Sequence, residues 1–343
     1  MSLFFWRKDE VQGKNVFIKK TSVLGVIIII TIFLLCGCSQ SNSEFTEYSY
    51  QPESTTNVNR IFNLDDEAEE GTLSYGIINE KGINETNTIY HLKRDENFKR
   101  FLLIDNYLGI DCEFAILTFI NYVQSDYLIE GERNRIAKVN IQNKTSLFVP
   151  MELDGLQQGM NDVIFLIVPN PNESERSEKE IFLSYEPVYL RLTVFVGEEL
   201  NQSNIQRETV ELPTFETEDH SVNISTEPQA EGHYGTVEVP LNDTLQLYIS
   251  FNNADNGNTV GQERIECVLL LLKNLEQVPL QGAPFINTEI EVGKKVVIPY
   301  EEKYEQVGYS EYIAIRINEP YESVDSFTSG VYFSGFTGVK ILE

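Results

Sequence analysis

Short hydrophobic runs rich in β-branched and aromatic residues, separated by Asn, Gly, Asp or Pro, follow one another along most of the chain. In the first half they fall at residues 101–104, 114–120, 147–149, 163–168 and 189–196. In the second half they fall at 237–239, 245–251, 267–272, 296–298, 312–317 and 331–333. Runs of this length and composition predict β-strands. The pattern therefore predicts an all-β protein.

The two groups of predicted strands are separated by a polar, acidic stretch that contains Pro213 and Pro228. Such a change of composition is typical of a connection between domains. We therefore expect a first β-sandwich domain at 61–198, an acidic linker at 199–230 and a second β-sandwich domain at 231–343. A chain of 343 residues is long enough for two such cores.

An internal repeat supports this division. A shift of 149 residues aligns 150–174 with 299–323 without a gap, and eight of the 25 positions are identical. Upstream, Asn121 and Gln124 match Asn274 and Gln277 at a shift of 153. A repeat of this length exceeds the 20 to 50 residues of solenoid units and indicates a duplicated domain.

Each copy of the repeat predicts the same local structure. A short strand runs to Pro150 or Pro299, and a turn with Gly159 or Gly308 then leads into an alternating strand. Glycine suits a tight bend because it has no Cβ. Proline has no backbone N–H to donate and is expected near strand ends or at sheet edges, so we expect the two prolines to mark where strand pairing stops.

This pattern resembles the later strands of immunoglobulin-like modules in bacterial surface proteins, where a glycine turn precedes a central strand. The resemblance implies two tandem immunoglobulin-like β-sandwich domains, which in such proteins act as spacers or binding surfaces.

Similar Pro-x-Glu-Ser loops recur after the alternating strands of the two copies. Recognition tends to concentrate on loops that a rigid scaffold carries, and this makes the loops candidate binding sites. The alternative is that proline and serine simply end the strand. The candidate residues are Pro171, Glu173 and Ser174 in the first copy and Pro320, Glu322 and Ser323 in the second.

The N-terminus predicts an export signal. Five basic residues precede an apolar run at 23–35, which is shorter than the roughly 20 residues of a spanning helix and suits a signal peptide. The run ends in Leu35-Cys36-Gly37-Cys38 and turns polar at once. This resembles the lipobox of bacterial membrane lipoproteins of the Gram-positive type.

The lipobox resemblance implies a helical signal peptide at 1–37, cleavage after Gly37 and a diacylglycerol on Cys38. It places the chain on the extracytoplasmic face of the cell membrane, and the polar stretch 38–60 is expected to be a flexible tether. The alternative is an uncleaved signal anchor without lipid.

The charge of the chain limits its partners. The formal net charge is −27, and removal of the segment to Gly37, with five basic and two acidic residues, would make it −30. Nucleic acid is excluded as a partner because its binding relies on Lys and Arg at the phosphates. We expect an envelope protein partner that is basic or bound through cations.

Residues for metal binding or catalysis are few. Beyond the lipobox only Cys112 and Cys267 remain, and both are expected to be buried in separate cores without a disulfide. His91, His220 and His233 belong to no recognisable motif, and no zinc-ligand spacing occurs. A calcium-like stretch at 252–257 departs from the ligand pattern and is predicted to be a hairpin loop. We expect no metal, no cofactor and no catalytic residue.

The sequence therefore predicts a non-catalytic, lipid-anchored binding or structural protein of the bacterial cell envelope. The alternative is an envelope-associated hydrolase with two facing carboxylates roughly 5 to 9.5 Å apart. A solute-binding protein is disfavoured because no long amphipathic helix occurs in the sequence.

Overall fold

A computed structural model describes residues 45–53, 71–171, 187–197, 209–217, 221–228, 235–253, 264–324, 326 and 330–343. These residues form strands joined by turns, which confirms the all-β prediction. None of them lies in a helix long and apolar enough to cross a membrane. The predicted signal helix and Cys38 lie outside the described residues.

The first sandwich contains eleven described strands in two sheets. One sheet has the order β1-β3-β9-β6-β7 and the other β2-β11-β10-β4-β5, with β8 also paired to β4. The strands are β1 (Thr72–Ile78), β2 (Ile89–Leu92), β3 (Phe98–Tyr107), β4 (Cys112–Ile120), β5 (Val123–Ser125), β6 (Tyr127–Ile129), β7 (Glu132–Asn134), β8 (Ile136–Ile141), β9 (Thr145–Leu153), β10 (Gly159–Pro169) and β11 (Val188–Val196).

The second sandwich repeats this plan. Its sheets have the orders β12-β19-β15-β13 and β14-β22-β20-β16-β17, with β18 paired to β16 and β21 to β20. The strands are β12 (Thr214–Glu216), β13 (Val222–Ser225), β14 (Gly235–Pro240), β15 (Thr244–Asn253), β16 (Arg264–Lys273), β17 (Glu276–Val278), β18 (Ile286–Glu291), β19 (Lys294–Lys303), β20 (Gly308–Asn318), β21 (Val331–Phe333) and β22 (Thr337–Leu342).

Both sandwiches have the immunoglobulin-like division of strands. In the first, β1, β3 and β9 share one sheet and β4, β10 and β11 the other, as strands A, B, E and C, F, G do in immunoglobulin domains. An additional strand, β2, runs parallel to β11, and β14 runs parallel to β22 in the second sandwich. The fold class is therefore as predicted.

Each sandwich encloses its own apolar core. Cys112 is buried in the first core and Cys267 in the second, and no disulfide joins them, as expected. The strands before and after the predicted glycine turns also agree with the repeat: β9 and β19, like β10 and β20, begin 149 residues apart. Gly159 opens β10 at a φ of +95°, where a Cβ would be strained.

The prediction that pairing stops at Pro150 and Pro299 is wrong. Both prolines lie inside strands, with Pro150 opposite Phe101 and Pro299 opposite Tyr248. Within the described strands neither proline has a partner on its other side, so no donor is required of its nitrogen. The prolines therefore lie where one side of β9 and of β19 is unpaired among the described strands, and not at a strand end.

Two predictions about segments that connect strands also differ from the structure. Strands β12 and β13 lie within 199–230 and belong to the second sandwich, so this range is more than a linker. Its short apolar segments were too brief to stand out against the acidic composition. The stretch after Asn253, predicted to be a hairpin loop, lies outside the described residues, but the flanking strands β15 and β16 belong to different sheets and do not pair with each other as the strands of a hairpin do.

Candidate functional site

The two sandwiches pack face to face through the sheets β2-β11-β10-β4-β5 and β14-β22-β20-β16-β17, which we call the junction sheets. Their contact, the junction, buries one continuous apolar layer and makes residues from Phe45 to Glu343 one compact unit. The layer's strand residues include Ala115, Leu117, Phe119, Ile164, Leu166, Val168, Val268, Leu270, Leu272, Ile313, Ile315 and Ile317.

Burial on both faces explains the sequences of the central strands. Leu269 and Leu271 face the core of the second sandwich, whereas Leu270 and Leu272 face the junction. A strand with only one buried face alternates apolar and polar residues, but a strand buried on both faces is a continuous hydrophobic run. The unbroken hydrophobic run at 267–272 is therefore the sequence signal for the junction.

A reciprocal pair of glutamines lies at the edge of the apolar layer. The backbone N–H of Gln124 donates to Oε1 of Gln277 and the backbone N–H of Gln277 donates to Oε1 of Gln124, each at 2.7 Å. The side-chain amides donate onward to the carbonyls of Leu275 and Tyr122, each at 2.9 Å. These glutamines are the repeat-matched residues, so equivalent parts of the two copies meet across an approximate two-fold axis.

Arg191 forms the principal polar anchor of the junction. Its guanidinium donates to both carboxylate oxygens of Asp162 at 2.7 to 3.1 Å, and both side chains are 1% exposed. It also donates to the carbonyls of Asn318 at 2.8 Å and Glu319 at 2.9 Å in the second sandwich. One side chain of the first sandwich thus caps the end of β20.

The hydroxyl of Tyr122 completes this anchor. It donates to Asp162 at 2.6 Å and accepts the backbone N–H of Tyr321 at 2.7 Å. Burial and the neighbouring Asp162 raise the pKa of Tyr122 well above its usual range. Burial alone would lower the pKa of Arg191, but Asp162 reverses the effect and raises it. Arg191 is therefore charged and Tyr122 neutral at physiological pH.

The anchor has no counterpart in the second copy. Repeat and strand register place Leu275 at the position of Tyr122, Glu311 at that of Asp162 and Phe336 at that of Arg191. Leu275 and Phe336 belong to the apolar layer. The junction is therefore two-fold in its apolar layer and its glutamine pair, and asymmetric in the Arg191 anchor.

The second candidate binding loop is docked into the junction. Pro320 is buried, and the Tyr321 ring meets Tyr122 edge-on at 4.9 Å. The backbone N–H of Val324 donates to Oγ1 of Thr193 at 3.3 Å, and the Thr88 hydroxyl donates to the Val324 carbonyl. Glu322 and Ser323 remain exposed. The first candidate loop is described only to Pro171, which is half-buried; Glu173 and Ser174 lie outside the described residues.

The predicted flexible tether is docked over 45–53. Thr46 exchanges two hydrogen bonds with Asn140 of β8, at 3.1 and 3.0 Å. The Ser49 hydroxyl and the Tyr50 N–H both donate to Oε1 of Glu130, and the Tyr50 ring stacks on Phe101 at 5.1 Å. Tyr48 packs on the first core. Tyr48 and Tyr50, two aromatic residues in an otherwise polar stretch, are the sequence signal for the docking of this segment.

A cleft of about 370 Å³ lies beside the docked segment, between Tyr50, Glu130 and the strands β3 and β9. Four of its five charged side chains have partners: Lys99 pairs with Glu152 at 3.1 Å, Arg100 pairs with Glu85 at 2.7 Å, and Glu130 accepts hydrogen bonds from Ser49 and Tyr50. Hydrogen bonds from Ser49 and Tyr50 lower the pKa of Glu130. These pairs fix the walls of the cleft and leave it without a dominant charge.

Glu302 is the centre of a second polar cluster, at one end of the second core. It accepts hydrogen bonds from the hydroxyls of Tyr312 at 2.6 Å and Tyr300 at 3.0 Å, and it pairs with Lys273. Burial would raise the pKa of Glu302, but the hydrogen bonds from Lys273 and Tyr312 outweigh it and lower the pKa. The equivalent residues of the first copy include Leu153 and Val163, which are apolar.

This cluster predicts an acid-sensitive contribution to stability. Since the pKa of Glu302 is lower in the folded state, its contribution is complete above the unfolded-state value of about 4.3. It is lost as pH falls through the folded-state pKa. We expect Glu302→Gln to flatten the decline of unfolding free energy below about pH 4.3 in urea titrations. Glu301→Gln, an exposed neighbour on β19, should keep the wild-type decline; equal profiles for both variants would contradict the prediction.

The remaining candidate ligands are dispersed. The His91 ring stacks on Phe195 at 5.3 Å, while His220, His233 and the calcium-like residues from Ala254 to Glu263 lie outside the described residues. Across the described ranges no group of His, Cys, Asp and Glu has the geometry of a metal site.

No protein-family model and no curated protein matches the sequence. Among solved structures, the chain is similar to the CARDB domain of a Pyrococcus furiosus protein in complex with di-metal ions: 14% identity, covering 39% of this chain and 97% of that chain, TM-score 0.24. It is also similar to a membrane anchored protein from Corynebacterium diphtheriae: 9% identity, covering 79% of this chain and 53% of that chain, TM-score 0.20. At these TM-scores neither likeness carries an argument about function.

Proposed function

We propose that the chain is a lipid-anchored, non-catalytic binding or structural protein on the extracytoplasmic face of a bacterial cell membrane. The observation that carries the proposal is the position of the docked segment. Its first described residue, Phe45, is seven residues after Cys38, and the segment is joined to the first sandwich by the contacts of Thr46, Ser49 and Tyr50.

The proposed anchor would hold this body close to the membrane. Seven residues of extended chain span at most about 25 Å. A diacylglycerol on Cys38 supplies the two acyl chains that stable anchoring needs. Because the junction joins the two sandwiches into one compact unit, both would be held near the membrane together.

The partners of the buried Asp162 and the half-buried Glu302 favour a structural role for both carboxylates. Asp162 is held by Arg191 and Tyr122, and Glu302 by Lys273 and two tyrosines. A general acid of a glycosidase requires a raised carboxyl pKa. The pKa of Glu302 is lowered, so Glu302 does not meet the requirement for that general acid.

We assign the partner surface to the exposed rim of the junction, where Glu322 and Ser323 follow the docked Pro320. With a formal charge of −30 after cleavage, the body favours a basic partner surface or contacts through divalent cations. An anionic membrane surface would repel it.

Substitution of the lipid-bearing cysteine tests the anchor. We expect Cys38→Ser to abolish labelling by radioactive palmitate and to leave an unprocessed precursor, because serine offers no thiol for the diacylglycerol. Cys36→Ser, two residues earlier, is the matched control and should be labelled and processed as the wild type is. Labelling of the Cys38→Ser protein, or loss of labelling in Cys36→Ser, would disprove the assignment.

A further inference from the structure

A buried arginine that no described residue pairs with as a counter-ion lies inside the second sandwich. Arg316 is on β20 and is 5% exposed, with its guanidinium 4.2 Å from the centre of the Tyr332 ring on β21. Among the described residues no carboxylate pairs with it, and its Nε and Nη1 have no hydrogen-bond acceptor. Burial lowers the pKa of this arginine, since removal from water disfavours the charged form.

A second unsatisfied group lies on the same face. Asn318 follows two residues later, is 9% exposed, and its Oδ1 has no donor among the described residues. Opposite Asn318, on β16, lies Cys267. Burial raises the pKa of Cys267 to about 12, so the thiol is neutral and does not balance the charge of Arg316.

The first copy shows that the fold does not require this polarity. The repeat places Ile167 at the position of Arg316, Pro169 at that of Asn318 and Phe114 at that of Cys267, and the same strand pairs recur. Ile167 and Phe114 are fully buried in the first core. An apolar residue therefore fits this position, whereas a buried, unpaired guanidinium opposes folding unless an anion satisfies it.

We propose that Arg316 and Asn318 form an internal binding site for the anionic group, carboxylate or phosphate, of a ligand. A guanidinium binds planar and tetrahedral oxyanions through several N–H groups at once. Asn318 Oδ1 accepts from a hydroxyl or amine of the same ligand. The Tyr332 ring, 41% exposed, covers the guanidinium and marks the solvent side of the site. The site is independent of Cys38, so a failure of the proposed lipid anchor and a failure of this site can be distinguished.

Thermal unfolding of the mature chain with added sodium acetate or sodium phosphate tests the site, with sodium chloride at equal ionic strength as reference. We expect the Tm of the wild type to be higher in one of the two oxyanions than in sodium chloride, because a ligand that binds only the folded state stabilises it. Arg316→Ile, which copies the first sandwich, should fold, show a higher Tm without oxyanion and lose the oxyanion-specific rise.

Two further variants make the result specific. Arg264→Gln removes an arginine of the same sandwich that is exposed and paired with Glu289 and Glu291, and it should keep the rise. Arg316→Lys keeps the charge without the planar group and should weaken the apparent affinity at least tenfold. A rise with acetate alone identifies a carboxylate ligand and a rise with phosphate alone a phosphate ligand. The proposal is overturned if neither oxyanion exceeds chloride, or if Arg316→Ile responds as the wild type does.

Discussion

Replacement of Arg191 by methionine is expected to lower the free energy of unfolding by about 3 to 5 kcal/mol, the usual cost of removing one partner from a buried ion pair. The variant would leave the Asp162 carboxylate buried and the carbonyls of Asn318 and Glu319 without their donor. In calorimetry this corresponds to a fall in Tm of roughly 10 °C for a chain of this size.

Two controls separate this effect from the loss of any arginine. Arg133→Met removes an exposed arginine paired with Asp154 at 2.6 Å and should change stability little. Arg191→Met combined with Asp162→Asn should be less destabilised than Arg191→Met alone, because the unpaired charge is gone. A loss of unfolding free energy for Arg191→Met no larger than that for Arg133→Met would show that the Arg191 anchor is not needed for stability.

Leu270→Glu is expected to separate the two sandwiches. Leu270 faces the junction, while its neighbours Leu269 and Leu271 fill the core of the second sandwich, so the substitution places a charge in the junction without disturbing that core. An unpaired charge in this apolar layer costs more than about 4 kcal/mol. Separation of the sandwiches returns the carboxylate to water.

Calorimetry and small-angle scattering distinguish the two states. The wild type should unfold in one transition, and Leu270→Glu in two, with a larger radius of gyration before unfolding. Leu270→Met conserves volume and should behave as the wild type does, with a cost below about 1.5 kcal/mol. A single transition and an unchanged radius for Leu270→Glu would contradict the view that the apolar layer holds the sandwiches together.

The strands and the duplication could be predicted because both depend on local patterns. β-branched runs between turn residues located the central strands, and the match of Gln124 with Gln277 revealed equivalent positions in the copies. What the pattern did not show was that these glutamines contact each other. A repeat shows which residues are equivalent in the two copies, whereas a contact between those residues depends on how the copies pack.

The polar centres were harder to predict because their chemistry is built from distant residues. Asp162 and Arg191 are 29 positions apart, and the carbonyls that Arg191 caps are more than 120 positions further on. The tether prediction was wrong over 45–53 because polar composition indicates flexibility only when no partner is available. Glu130 and Asn140, both remote in sequence, supply those partners.

The reciprocal glutamine contact has an evolutionary consequence. A contact in which equivalent residues face each other across a two-fold axis is the isologous interface of a homodimer. In a dimer of identical chains, every substitution appears on both sides of the axis. With both copies in one polypeptide that constraint is lifted, so Arg191 can occur in the first copy alone and Arg316 in the second alone. Fusion thus allows one half to specialise in holding the assembly together and the other in recognition.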